Sequence, residues 1–157
     1  MAGMVAIAVI GVGNEYRQDD GVGVYVARRV RQSSLPNVRV VEHVSDGAAL
    51  VHTWEEAACV FVIDCVVSGA APGTIFRWDA WSEPIPAEVF AGRSTHTFNV
   101  TEAIELGRAL HRLPPMLIVY GIEGVDFSFG LGLTPAVDAA AQEAALRIIR
   151  EIGGAES

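Results

Sequence analysis

Uninterrupted apolar runs alternate along this chain with stretches whose apolar residues recur every three or four positions. Residues 4–10 form such a run and predict a strand buried on both faces of a mostly parallel sheet. Beyond a polar, glycine-rich interval, Val22, Val26 and Val30 recur at a spacing of four with Tyr25 beside them, predicting an amphipathic helix. Residues 33–37 break that pattern, and 38–44 read as a second strand. Ser45-Asp46-Gly47 is a turn with a helix cap, followed by a short helix over 48–56. Residues 59–67 are the most apolar run of all and predict a central strand, interrupted by one acid, Asp64.

The second half continues the alternation. Small residues at 68–73 give a loop, and 74–78 a short strand, antiparallel to its neighbours. Residues 79–93 contain Pro84 and Pro86 and read as surface loop with little regular structure. Residues 94–98 lead into a helix ending near Leu113, with Val100, Ile104, Gly107 and Leu110 on one apolar face. Pro114-Pro115 ends it, and 116–121 is another buried strand. Residues 123–133 form a glycine-rich loop. Thr134 then caps and Pro135 opens a last helix with the stripe Val137, Ala141, Ala144, Ile148 and Ile152, stopped by Gly153-Gly154. Strands alternating with helices predict an α/β fold: a three-layer α/β/α sandwich with a mostly parallel (mixed) sheet of about five strands, in a single domain over residues 1–157.

Composition narrows the function. Eleven Lys plus Arg against 19 Asp plus Glu leave a net charge of −8, and no basic run exists to meet phosphates, so nucleic acid is excluded as a partner. No apolar run approaches the roughly 18 residues a membrane span requires. The N-terminus lacks the basic region and cleavage site of an export signal, so the expected location is cytoplasmic. Cys59 and Cys65 share one apolar run, which makes an intrachain disulfide improbable and fits a reducing compartment. Their separation is not a zinc spacing, and buried strand thiols are the simple reading.

The stretch from Gly11 to Gly23 sits between the first strand and the first helix and holds four glycines and three acids. In open α/β sheets such loops lie at the carboxyl ends of strands, where ligands bind. A dinucleotide fingerprint would need glycine where Tyr16 stands, and a phosphate-binding loop needs a lysine, of which the chain has none. Asp19 and Asp20 lie where a helix N-terminus would otherwise attract an anion. A cation is the better guess.

Three residues stand out as polar groups facing one crevice. Asp20 follows the first strand, Asp64 ends the central strand, and His96 lies in the loop opening the third helix. Parallel neighbouring strands would bring both carboxylates to one sheet edge, within reach of His96. Two carboxylates and an imidazole suit a borderline divalent metal such as nickel or zinc, with coordination positions left open. Each residue also has a plainer reading. Asp20 could be a helix N-terminal acid, Asp64 a strand-end turn residue, and His96 a solvated loop histidine. An acid after five apolar residues needs a partner, however, which favours function for Asp64. His43, His52, His111 and Glu123 are weaker candidates. No H-E-x-x-H helix and no G-x-S-x-G elbow exist, and neither cysteine opens a helix. The residues alone therefore yield a metal-binding crevice without a reaction.

The chain resembles the hydrogenase maturation proteases. The resemblance rests on Gly13-Asn14, Asp19-Asp20 and Gly21-x-Gly23, then Ile63-Asp64, Ser94-Thr95-His96 and Tyr120-Gly121-Ile122-Glu123. Gly130-Leu131-Gly132-Leu133-Thr134-Pro135 completes an ordered set spanning nearly the whole chain. It implies a mixed sheet between helices and a nickel-contacting set at Asp20, Asp64 and His96. It implies cleavage of a C-terminal extension from the precursor of a nickel-iron hydrogenase large subunit, with nickel carried by that precursor. Members of the family differ from this chain in some details: Glu for Asp20 in some, Gly-Gly-Thr where Ser45-Asp46-Gly47 stands, Gly where Asn99 stands. Two other readings remain open at this level. One is a peptidase or hydrolase with a resident metal, and the other is a non-catalytic hydrogenase assembly partner.

Overall fold

A computed structural model describes residues 5–44, 47–91 and 99–155. Among the described residues five strands and five α-helices follow in the order β1 (Val5–Val12), α1 (Val22–Gln32), β2 (Val38–Val44), α2 (Gly47–Trp54), β3 (Ala57–Val66), β4 (Ile75–Asp79), α3 (Glu88–Ala91), α4 (Val100–Ala109), β5 (Met116–Glu123) and α5 (Pro135–Ala155). The strands form one sheet in the order β2-β1-β3-β5-β4. All pair in parallel except β4, which runs antiparallel to β5 at one edge. The expected mixed, mostly parallel sheet is therefore present, with β3 at its centre.

Each face of the sheet carries its own core. On one side Val22, Val26 and Val30 of α1 and Val137, Ala141, Ala144, Ile148 and Ile152 of α5 pack on Ile7, Val9, Phe61 and Ile63. On the other, Leu50 and Trp54 of α2 and Val100, Ala103 and Ile104 of α4 cover Ala8, Ile10, Val60 and Val62. Alternation along β3 from Cys59 onward explains the division: odd positions meet α1 and α5, and even positions meet α2 and α4. Trp54 is completely buried and its indole N–H donates to the Arg112 carbonyl at 3.1 Å, satisfying the polar atom that burial would otherwise strand.

Several local expectations need correction. Residues 79–93 are not all loop. Val89 and Phe90 are buried in the short α3, and Phe90 meets the Trp78 ring edge-on at 5.9 Å, so two apolar side chains beyond the prolines join the core on the α2 and α4 side of the sheet. Helix α4 ends at Ala109, and Leu110 is 50% exposed rather than part of the buried face. Its start is set by a reciprocal cap: Asn99 accepts from the Glu102 N–H, and Glu102 accepts from the Asn99 N–H. Gly153 and Gly154 do not stop α5, which continues to Ala155. The Ser45-Asp46 turn lies outside the described residues.

Candidate functional site

The first loop is built by close backbone approach. Helix α1 begins directly over the carboxyl ends of β1 and β3. A Cβ on Gly23 would lie 2.2 Å from the Ile63 carbonyl oxygen and 2.6 Å from that of Val12, and a Cβ on Gly11 would lie 2.5 Å from the Gly23 oxygen. Gly13 has φ +124°, and a side chain there would strike the Asp20 carbonyl oxygen at 2.1 Å. These glycines make room for protein backbone, which accounts for their number without any bound phosphate.

Asp20 lies on the 3-10 turn Gln18–Gly21 and is half-buried. Its Oδ2 accepts from the Asn14 backbone N–H at 3.0 Å, while Asn14 Oδ1 accepts from the Tyr16 N–H at 2.9 Å. The carboxylate is thus oriented by the loop that carries it. Asp64 is 5% exposed and lies within β3, two positions before its end at Val66 rather than at the terminus itself. Its Oδ1 accepts from the Cys65 N–H at 2.7 Å. Strand alternation puts it on the face of Val62 and Val66, toward α2 and α4. Strands β1 and β3 are paired as far as Gly11 with Ile63. Both acids therefore reach the carboxyl edge of the sheet where the chain turns from β2 on one side to β3 on the other, the switch point at which open α/β sheets bind ligands. His96 lies outside the described residues. Among the described residues no group of three or more His, Cys, Asp or Glu side chains could by itself hold a metal.

Two further acids shape the site. Asp19 is completely buried, and its carboxylate gathers the loop that follows β5. Oδ2 accepts from the N–H groups of Val125 and Asp126 at 3.0 and 3.1 Å, and Oδ1 from the Thr134 N–H at 2.8 Å. The Thr134 hydroxyl, directly before Pro135 opens α5, donates to the same carboxylate. Glu123, 2% exposed, accepts from the N–H groups of Ser68 and Gly69 and from the Ser68 hydroxyl, latching the loop between β3 and β4. It has the supporting role its strand-end position suggests.

The other weak candidates are accounted for by local partners. His43 Nε2 lies 2.6 Å from Glu15 Oε2, and Arg28 bridges Glu15 and Glu42. The His43 hydrogen bond and the Arg28 guanidinium hold the Glu15 carboxyl below its ordinary value against burial; Arg28 does the same for Glu42. This cluster braces the outer side of the first loop. His52 lies beside Glu55, and His111 follows the end of α4 in a left-handed conformation (φ +56°). Burial, with the Glu151 charge second, pushes the Cys59 thiol up to about 11, far from a thiolate nucleophile. Both described cysteines are free.

The strand order and the helices on both faces of the sheet define a doubly wound α/β protein. Residues 24–151 match the hydrogenase maturation protease family, and the chain belongs to that family. The match includes Asp64 and His96 and begins beyond Asp20. The chain is 29% identical over 150 residues to the hydrogenase expression/formation protein HupD of Rhodobacter capsulatus, covering 93% of this chain and 70% of HupD. It is 28% identical over 153 residues to the hydrogenase 2 maturation protease of Escherichia coli, covering 94% and 92% of the two chains. Its fold superposes on the hydrogenase maturating endopeptidase HybD from E. coli with a TM-score of 0.79 at 21% identity, over 96% of this chain and 93% of that one. No helix among the described residues is long and apolar enough to cross a membrane.

Proposed function

We propose that this chain is an endopeptidase that removes the C-terminal extension of a nickel-iron hydrogenase large-subunit precursor after nickel insertion, and that it recognises the substrate-borne nickel through Asp20, Asp64 and His96. The observation that carries this reading is that Asp20, on the turn after β1, and Asp64, near the end of the adjacent parallel strand β3, lie toward the same carboxyl edge of the sheet, in a chain that belongs to the hydrogenase maturation protease family. Two carboxylates and an imidazole are a donor set suited to a borderline divalent ion. Both carboxylates are set in place before any substrate arrives, Asp20 by the Asn14 N–H and Asp64 by the Cys65 N–H on a strand paired on both sides. His96 precedes α4 in the sequence, and α4 packs on the sheet face that Asp64 shares.

In this reading the metal is cargo of the substrate, and it polarises the scissile carbonyl toward attack by water. The chain's own residues seat the metal, orient the tail and make cleavage conditional on nickel.

The test is incubation of nickel-loaded and nickel-free precursor with wild type, Asp64→Asn and His96→Ala, read by intact mass. The expected result is loss of a C-terminal peptide with wild type on loaded precursor only, and rates lower by roughly 100-fold or more in both variants. Equal cleavage of nickel-free precursor, or full activity in both variants, would overturn the proposal.

A further inference from the structure

The loop after β5, with Tyr16 of the loop after β1, exposes apolar side chains although it is firmly held. Phe129 is 85% exposed, Leu131 65%, Tyr16 59% and Val125 57%. A mobile loop could carry such residues by chance, but this one is pinned along its length. Its ends are fixed by the N–H bonds from Val125, Asp126 and Thr134 to Asp19, and the Asp19 N–H donates to the Asp126 carbonyl at 3.0 Å. Its middle pairs with the first loop, where the Gln18 N–H donates to the Gly130 carbonyl at 3.0 Å and the Gly130 N–H to the Tyr16 carbonyl at 2.9 Å. The Gly132 N–H donates to the Tyr25 hydroxyl of α1 at 3.1 Å, and the Arg17 guanidinium sits 5.6 Å from the centre of the Phe129 ring. Large apolar side chains left exposed on firmly held loops are the kind of surface that marks an interaction site. Holding the anchors in place beforehand lowers the ordering cost of binding.

We infer that Phe129, Leu131, Tyr16 and Val125 form a docking knob that seats in an apolar pocket on the folded body of the precursor, beside the tail to be cut. This rests on the proposed function and names how the substrate is held. Shape selects the occupant: a side chain 85% exposed projects outward and fits a concavity on a folded partner, whereas an extended peptide would need a groove. Continuity supports the same choice. Asp20 lies on the turn whose preceding residue, Arg17, is bridged to Gly130, so a precursor presenting its metal to Asp20 would meet this loop. A large aromatic anchor beside an arginine is also the composition of an interface hot spot.

The experiment compares wild type, the double variant Phe129→Ser/Leu131→Ser, and Leu146→Ser, an exposed leucine on α5 away from the crevice. Each is titrated against nickel-loaded precursor for Kd and KM and run in sedimentation velocity alone; Phe129→Ser by itself replaces the double variant if that one fails to fold. The expected result is a Kd and KM raised roughly tenfold or more in the serine variant and unchanged in Leu146→Ser. Weakened binding in a protein that never cleaves supports the knob and removes the protease reading. Cleavage with unchanged Kd and KM in the serine variant overturns the knob alone, as does loss of self-association with an unchanged Kd. No binding by wild type overturns both.

Discussion

Asp19 and Thr134, more than a hundred positions apart in the chain, are joined by three hydrogen bonds: the Thr134 N–H to Asp19 Oδ1 at 2.8 Å, and the Thr134 hydroxyl to both carboxylate oxygens at 3.1 and 2.9 Å. With Val125 and Asp126 donating to the same carboxylate, one buried acid ties the turn after β1 to the loop after β5 and to the first residue before α5. A buried charge is costly when unanswered, and here four donors answer it. The residue next to it, Asp20, inherits a fixed position from this clamp.

Replacing Asp19 should therefore destabilise the whole fold. Asp19→Ala strands three backbone N–H groups and a hydroxyl, and a loss of roughly 3 kcal/mol is expected from urea unfolding. Asp19→Asn keeps the shape but turns an NH2 toward a donor, so about 2 kcal/mol is expected. An unchanged unfolding midpoint in Asp19→Asn would mean the clamp contributes nothing.

The glycines separate by the same kind of measurement. A methyl on Gly23 meets the backbone oxygens of Ile63 and Val12 at 2.2 and 2.6 Å, neither of which can yield without moving β1 or β3. Gly23→Ala should cost about 3 kcal/mol or prevent folding, a steric cost of overpacking rather than of conformation. Gly153, inside α5 with nothing within 4 Å of an added Cβ, offers the reverse. Gly153→Ala should stabilise by about 0.5 kcal/mol. Equal thermal midpoints for the two variants would contradict the tight seat of α1.

These contacts also explain which features could be read from sequence. The first and central strands are legible because a long apolar run has few other homes, and the α5 stripe because its apolar residues recur at helical spacing, all five of them buried. Asp20 and Asp64 stand out in the sequence, the first in an acidic pair within a glycine-rich loop and the second as an acid after five apolar residues. Asp19 was indistinguishable from an ordinary helix N-terminal acid, since its partners at Val125, Asp126 and Thr134 are brought near only by the closed sheet. Leu110 misled because its spacing continues a helix that His111, at φ +56°, ends. Asn99 was noted only as a departure from the family, whereas its place before Glu102 is a capping box, a local signal that sequence could have given.

The last prediction concerns acid stability. Where β4 and β5 meet α5, Arg77 donates through Nε and Nη2 to the two oxygens of Glu151 at 3.0 and 2.7 Å, and the Tyr120 hydroxyl donates to Glu151 as well. Burial pushes the Glu151 carboxyl up, but the hydrogen bonds from Arg77 and Tyr120 and the Arg77 charge outweigh it and hold the group below its ordinary 4.5. Burial first, and Glu151 second, push the Tyr120 phenol up to about 12, so it remains a donor throughout the neutral range. As pH falls, the unfolded chain takes up the Glu151 proton before the folded one. The contribution is thus complete above the ordinary carboxylate value and disappears as pH falls through the depressed folded one. Since Arg77 and Glu151 are partly solvated, Glu151→Gln should cost only about 1 kcal/mol near neutral pH. In urea unfolding across a pH series, the gap between wild type and Glu151→Gln should be flat down to about pH 5.5 and close steadily below it. A gap that stays constant to about pH 3 would show that the folded state does not prefer the ionised carboxylate, and that the Arg77 pair adds no acid-sensitive stability.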